Sequence, residues 1–388
     1  MIQKITSLLM SAALIVSCTN KQTGGADIIR VNDAKQVRIN LSDYVATLEY
    51  VPLETKEECL IDRFPRFYVL NDYIVVTTSR QCFLFNRNGK FIREIGRPGR
   101  GPDEYFFTTA GEVINEKNQT ILMQGWNQTM EYSFSGTVNR YIVKTPDSSP
   151  AIAYLSDSIW VQAVPNYSGN AINQLVFTNQ EKVIDSIPNH QFFTPLDSNA
   201  FGGFGIEFGF YRYRDDLYYK NMFNDTLFKI KDRKLYPVWI FDMGQYHLSR
   251  SVMANMNTFR QEASRYNWLQ YVWEADPFLL FSIARARGDS TFVYDKRKNQ
   301  VFVMEKEQTL KGFYNDIDGG MPFWPSHITQ KQEMVSFLYP DAMKEMLTNE
   351  YFGRKSIRDN NAHLRLKELL SIINEDDNPI VVIATLKL

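Results

Sequence analysis

Between Phe67 and Ile95 the chain passes through four short apolar runs separated by turn residues, and that unit recurs downstream. It begins Phe67-Tyr68-Val69-Leu70, turns at Asn71-Asp72, and continues Tyr73-Ile74-Val75-Val76-Thr77-Thr78. It then runs Cys82-Phe83-Leu84-Phe85, turns at Asn86-Arg87-Asn88-Gly89, and ends Lys90-Phe91-Ile92-Arg93-Glu94-Ile95. Runs of β-branched and aromatic residues bounded by Asn, Asp and Gly are strands. The Asn-Gly step supplies residues that tolerate positive φ, as a tight hairpin requires. A second copy covers Thr120–Met123, Thr129–Phe134 and Val138–Val143; a third covers Ser158–Val161, Gln174–Phe177 and Lys182–Ile187. A fourth covers Leu217–Tyr219, Asp225–Ile230 and Tyr236–Ile240, and a fifth Phe278–Phe281, Ser290–Asp295 and Gln300–Met304. Sheets of four short strands repeated in this way are the pattern of propeller blades, and roughly 350 residues at about 55–60 per inserted blade give six. Five internal copies leave one blade for the two ends. The run Pro379–Leu386 is a strand, and Val37–Leu41 and Leu48–Leu53 are candidates to complete its sheet. The expected fold is therefore all-β: a six-bladed β-propeller over residues 31–388, closed by N- and C-terminal strands, with a few decorating helices. Helical spacing of apolar residues places those helices at Ser249–Ser264, Gln330–Asn349 and Ala362–Ile373, the last with Leu364, Leu366, Leu369, Leu370 and Ile373 on one face.

The amino terminus reads differently. Met-Ile-Gln-Lys, an apolar run from Ile5 to Val16 and then Ser17-Cys18 form a secretion signal over residues 1–17, too short for a permanent span. Ile15-Val16-Ser17-Cys18 resembles the lipobox of bacterial lipoproteins, which implies diacylglyceryl attachment at Cys18 and cleavage before it. A polar stretch over 18–30 would be a flexible tether. Since no acidic residue follows Cys18 until Asp27, attachment to the outer membrane facing the periplasm is expected over display at the cell surface. Cys59 and Cys82 remain: an exported chain can oxidise such a pair, but spacing does not show whether the two meet.

Charge is balanced, 43 Lys and Arg against 44 Asp and Glu, which argues against nucleic acid as a partner. Aromatic residues make up 14% of the chain, a level that suits half-buried sheets and also the surfaces that hold sugars and peptides.

Three stretches resemble a family of six-bladed β-propeller lipoproteins of Bacteroides-type gut bacteria, related in pattern to NHL propellers. They are Leu41-Ser42-Asp43-Tyr44 with Leu48–Thr55; Phe85–Tyr105, above all Gly96-Arg97-Pro98-Gly99-Arg100-Gly101-Pro102-Asp103-Glu104-Tyr105; and Asn315–Pro325 with Glu375–Pro379. The resemblance implies the fold and a place in the cell envelope, and no assigned activity.

No constellation points to a reaction, so no catalytic residue is named. Arg97, Arg100, Asp103 and Glu104 could supply charge to a ligand loop, although the glycines around them suit an inter-blade turn. Asp316 and Asp318, with Asn315, resemble a calcium loop that lacks its closing Glu, so calcium is the one cofactor weighed and none is expected. Trp324, between two prolines, is either a packing anchor or a sugar platform. The Phe201–Phe210 stretch is a flexible aromatic loop, and Glu207 with Asp215 and Asp216 could be imagined as a glycosidase pair. The four histidines lack metal-ligand spacing. These readings favour a monomeric, membrane-anchored binding module for a glycan, peptide or envelope protein. The alternatives are a polysaccharide hydrolase or lyase with its site at the channel, and a structural partner of an outer-membrane uptake complex.

Overall fold

A computed structural model describes residues 25–108, 111–126, 128–143, 151–196, 207–284, 288–307 and 309–387. The signal, Cys18 and most of the tether lie outside the described residues. So does most of the glycine-rich part of the Phe201–Phe210 loop.

Six sheets of four or five strands, antiparallel apart from two short rim strands, form the fold, as the repeat predicts. Blade 1 is Arg66–Val69, Tyr73–Thr77, Cys82–Asn86 and Phe91–Glu94, and the strands of blades 2 to 5 fall within 107–142, 152–188, 208–242 and 268–304. Its middle strands are buried on both faces, and only its outer strand is exposed. This follows from the ring, since each blade is sandwiched between two others. Val75 and Leu84 pack toward blade 2 with Ile121, Met123 and Tyr132. Ile74, Val76, Phe83 and Phe85 pack toward blade 6 with Val335, Val381 and Ile383. Equivalent cores join blade 2 to 3, 3 to 4, 4 to 5 and 5 to 6, so the circle closes.

Blade 6 is built from both ends. Its first three strands are His327–Ile328, Glu333–Leu338 and Ile380–Leu386, and Val45–Pro52 adds the outer one in register Val51 to Val381. Of the two candidates for this position, only the second serves. Lys35–Val37 instead lies parallel on the rim of blade 5, and Asp27–Arg30 lies parallel on the rim of blade 4. The last residues of the stretch expected to be tether are thus folded onto the sheet.

The amino-terminal belt is pinned by side chains. Asp316 accepts bonds from Ser42 N at 2.9 Å and Ser42 Oγ at 2.6 Å, and pairs with Arg358 at 2.8 Å. The Tyr44 hydroxyl donates to Asp295 at 2.9 Å. Asn378 donates to the Glu54 and Cys59 carbonyls at 2.8 and 2.9 Å and accepts from Ile61 N at 3.0 Å. Cys59 and Cys82 are free, buried thiols.

Helices are few: α1 (Met256–Glu262), α2 (Pro340–Met346), α3 (Asn349–Gly353) and α4 (Asn360–Ile372). The last three form an insertion within blade 6. The helix expected from Gln330 is half strand: Glu333–Leu338 pairs with the final strand, and Pro340 opens α2 only after it. On α4 the buried face is Ala362, Leu366 and Leu369, continued by Ile373, whereas Leu364 is 63% exposed.

The two faces of the ring are unequal. Turns from first to second and from third to fourth strands take two to four residues, counted in blade 2 from Ile114–Asn115, which pairs with the second strand beside Phe107–Thr108, and carry positive φ at Arg214, Asp215, Asp232 and Arg233. Paired positive φ is the twist a two-residue hairpin needs. All the long connections, including α1 and the α2–α4 insertion, leave from the opposite face, where the inner strands begin.

Candidate functional site

The inner strands surround a pocket of about 1040 Å³, to which every blade contributes. A smaller pocket of about 210 Å³ lies toward the tight-turn face and shares Tyr68, Glu112, Arg212, His327 and Ile328 with the first. Those shared residues form a waist. Glu112 and Arg212 approach to 3.9 Å there, and the Tyr68 ring meets the His327 ring edge-on at 6.1 Å. Burial lifts the Glu112 carboxyl to about 6 against the pull of Arg212, and burial lowers His327 to about 4, so the imidazole is neutral.

Above the waist the wall is aromatic. The inner strand of blade 5, Trp268–Glu274, points Tyr271 and Trp273 inward as a stacked pair, centroids 5.5 Å apart and planes 9° from parallel. Trp324, on the connection into blade 6, meets Trp273 edge-on at 5.6 Å. Tyr271 is 41% exposed, so the shelf faces open space. Period-two alternation explains the pairing, because residues two apart share a face.

The charged lining comprises Arg66, Arg212, Lys220, Lys311, Glu112 and Glu274. Glu274 is occupied by the protein: it accepts from the Tyr211 hydroxyl at 2.9 Å and pairs with Lys296 at 2.6 Å. Behind blade 4, Glu207 pairs with Arg250, both nearly fully buried. Glu207 precedes the strand Phe208–Tyr213, and Asp215 and Asp216 follow it on the tight-turn face. At about 3.3 Å per residue they lie over 20 Å apart, too far for the glycosidase pair imagined from sequence.

Of the candidate ligand residues only Trp324 lines the pocket; Phe208 and Phe210, expected in a flexible loop, line it too, but from the inner strand of blade 4. Arg97, Arg100, Asp103 and Glu104 lie on the connection from blade 1 to blade 2. There Glu104 caps Gly101 N at 2.8 Å, the Tyr132 hydroxyl donates to the Asp103 carbonyl at 2.9 Å, and Arg100 covers Trp126 at 5.1 Å. Gly96, at φ +70°, sits where a Cβ would be 2.7 Å from the Tyr132 ring, so this motif is a packed joint. Asp316 holds the belt, and Asp318 accepts from Asn315 Nδ2 at 2.7 Å and Gly320 N at 2.8 Å. Those carboxylates are engaged by the protein, and no cluster suited to a metal occurs among the described residues. Tyr271, Trp273 and Lys220 went unread in the sequence; the Trp-Leu-Gln-Tyr-Val-Trp-Glu alternation was the available signal for the first two.

A six-bladed propeller with an aromatic pocket on its axis is the class that fold and site define. Within it, the chain belongs to the DUF4934 family, a domain of unknown function whose model matches residues 26–385. The crystal structure of a Bacteroides fragilis protein described as exported is similar over 93% of this chain and 100% of that one, with 18% identity and a TM-score of 0.66, and supports the fold. A Bacteroides caccae protein of unknown function matches 63% of this chain and 83% of its own, at 8% identity and a TM-score of 0.39. No curated protein matches.

Proposed function

We propose that the protein is an exported, lipid-anchored binding module that holds a saccharide in the mouth of its central channel. The observation that carries this reading is the shelf of Tyr271, Trp273 and Trp324 inside a pocket of ligand size. Sugar rings present flat C–H faces that rest on aromatic rings, while polar groups around the shelf fix orientation. The long connections at the same face frame the opening, where variable loops on a rigid scaffold serve recognition. Export and anchorage rest on the signal before Cys18 and on the exported description of the B. fragilis protein. Facing the periplasm, such a module would pass or retain saccharides at the outer membrane.

Titration of the purified full chain with neutral and acidic oligosaccharides, followed by tryptophan fluorescence and calorimetry, tests this. Trp324→Ala should weaken binding at least about ten-fold, or about 1.4 kcal/mol, without unfolding the domain. If no saccharide binds while peptides or an envelope protein do, the saccharide reading is wrong.

A second reading, a lyase or hydrolase, draws on Glu112 at about 6 and Lys220 at about 7, both in the range useful for proton transfer. Shortened or unsaturated products from a bound saccharide would establish it, and intact recovery would refute it.

A further inference from the structure

Lys220 reaches the pocket by an unusual route. It stands on the second strand of blade 4, Asp216–Asn221, where a side chain is ordinarily screened from the axis by the inner strand. Its register partner on that inner strand is Gly209. A Cβ at Gly209 would lie 3.0 Å from Lys220 Cε and 3.1 Å from Cγ, so the lysine stem occupies the space the glycine leaves. The amine donates to the Leu269 carbonyl of blade 5 at a long 3.4 Å and lines the pocket, although the residue is only 4% exposed. Burying an ammonium costs several kcal/mol, and folds that keep one in a cleft commonly use its charge. The cost is visible in the amine, which burial draws down to about 7 while Glu207 pulls the other way.

The rest of the wall has the same sign. Both lining carboxylates are engaged, Glu112 with Arg212 and Glu274 with Lys296. Arg66 and Lys311 form no ion pair among the described residues, and Lys311 stands 5.9 Å from the Trp324 ring. A cleft with low-dielectric walls and surplus charge of one sign concentrates ligands of the other.

We propose that the channel selects anionic saccharides, and that Lys220, admitted through the notch at Gly209, meets their negative group. This rests on the saccharide reading and narrows it to sugars bearing a carboxylate or a sulfate, which share the chemistry of a ring to stack and an anion to pair. The alternating wall of rings and cations fits such a chain better than a neutral one.

Calorimetry on the purified full chain separates the cases. One arm compares tetragalacturonate with its methyl ester, which keeps the ring and removes the charge. The other compares a chondroitin sulfate tetrasaccharide with its unsulfated form. At least one anionic form should bind ten-fold or more tightly than its less charged partner, and the responding arm identifies carboxylate or sulfate. Lys220→Met, close in shape and apolar, should remove that preference by lowering the affinity for the anionic form ten-fold or more toward that of the less charged one. Gly209→Ala narrows the notch with a Cβ 3.0 Å from Lys220 Cε, so the lysine stem must shift; it should act in the same direction, which covers the case of a K220M chain that does not fold. Equal binding of charged and less charged forms, or equal loss of both in K220M, overturns the proposal and leaves the saccharide reading standing. Failure of every saccharide to bind removes both.

Discussion

At the waist of the channel, two titratable side chains drive stability in opposite directions with pH. The neutral His327 has a folded value near 4, below that of the unfolded chain, so its contribution is complete above about pH 6.5 and is lost as pH falls toward 4. Glu112 is raised to about 6, so its contribution is complete below about 4.5 and is lost as pH rises through 6. Both border the open channel, and water there trims each effect to about 1–2 kcal/mol. Replacing His327 with Leu leaves only the Glu112 effect at this position. Thermal denaturation from pH 4 to 8 should show the variant losing less stability on acidification than the parent; parallel curves would contradict the assignment. At this scale sequence was a partial guide. Trp324 could be singled out because a tryptophan between prolines is conspicuous. Lys220 could not, because its meaning lies in Gly209, eleven positions away along the chain and opposite it only through strand register.

Elements were more legible where both faces of a strand are buried. The apolar runs Tyr73–Thr77 and Cys82–Asn86 announce themselves, and the same holds for the middle strands of each later copy. Inner strands of four of the five internal blades went unread: Phe107–Thr108, Ile152–Ser156, Phe208–Tyr213 and Trp268–Glu274. They border the channel and follow long connections; Phe107–Thr108 is too short to show a pattern, and glycine, arginine or glutamine interrupts the pattern of the last two. The tract after Gln330 misled for the converse reason, since Met334, Val335 and Leu338 fit helical spacing as well as a strand, and only pairing with Ile380–Leu386 decides. Packing between blades should dominate stability. Phe281 stacks on Phe292 at 4.9 Å and meets Phe241 at the same distance between blades 4 and 5. Phe281→Ala should therefore cost about 3–5 kcal/mol in urea unfolding. A loss under 1 kcal/mol would mean that this interface contributes little.

Over the whole molecule, the six-blade count and closure by both termini follow from repeat arithmetic, whereas the two rim strands before Val45 do not. Short parallel additions such as Lys35–Val37 have no local signature, since their partners lie far along the chain. The segments that carry the family resemblance acquire a structural reason here: Ser42, Asp316 and Asn378 stitch the amino-terminal belt to the last blade. Removing residues 380–388 takes away the third strand of blade 6 and strands the outer one. The truncated chain should show no cooperative thermal transition by circular dichroism, and a native-like transition would show that the ring tolerates an open seam. The same closure bears on how the chain comes into being. Val51 waits for Val381 across roughly 330 residues of intervening chain. Five blades can form as they emerge, but the outer strand of blade 6 stays without its partner until Ile380–Leu386 has been made, so the seam between the two ends of the ring is the last contact the chain completes.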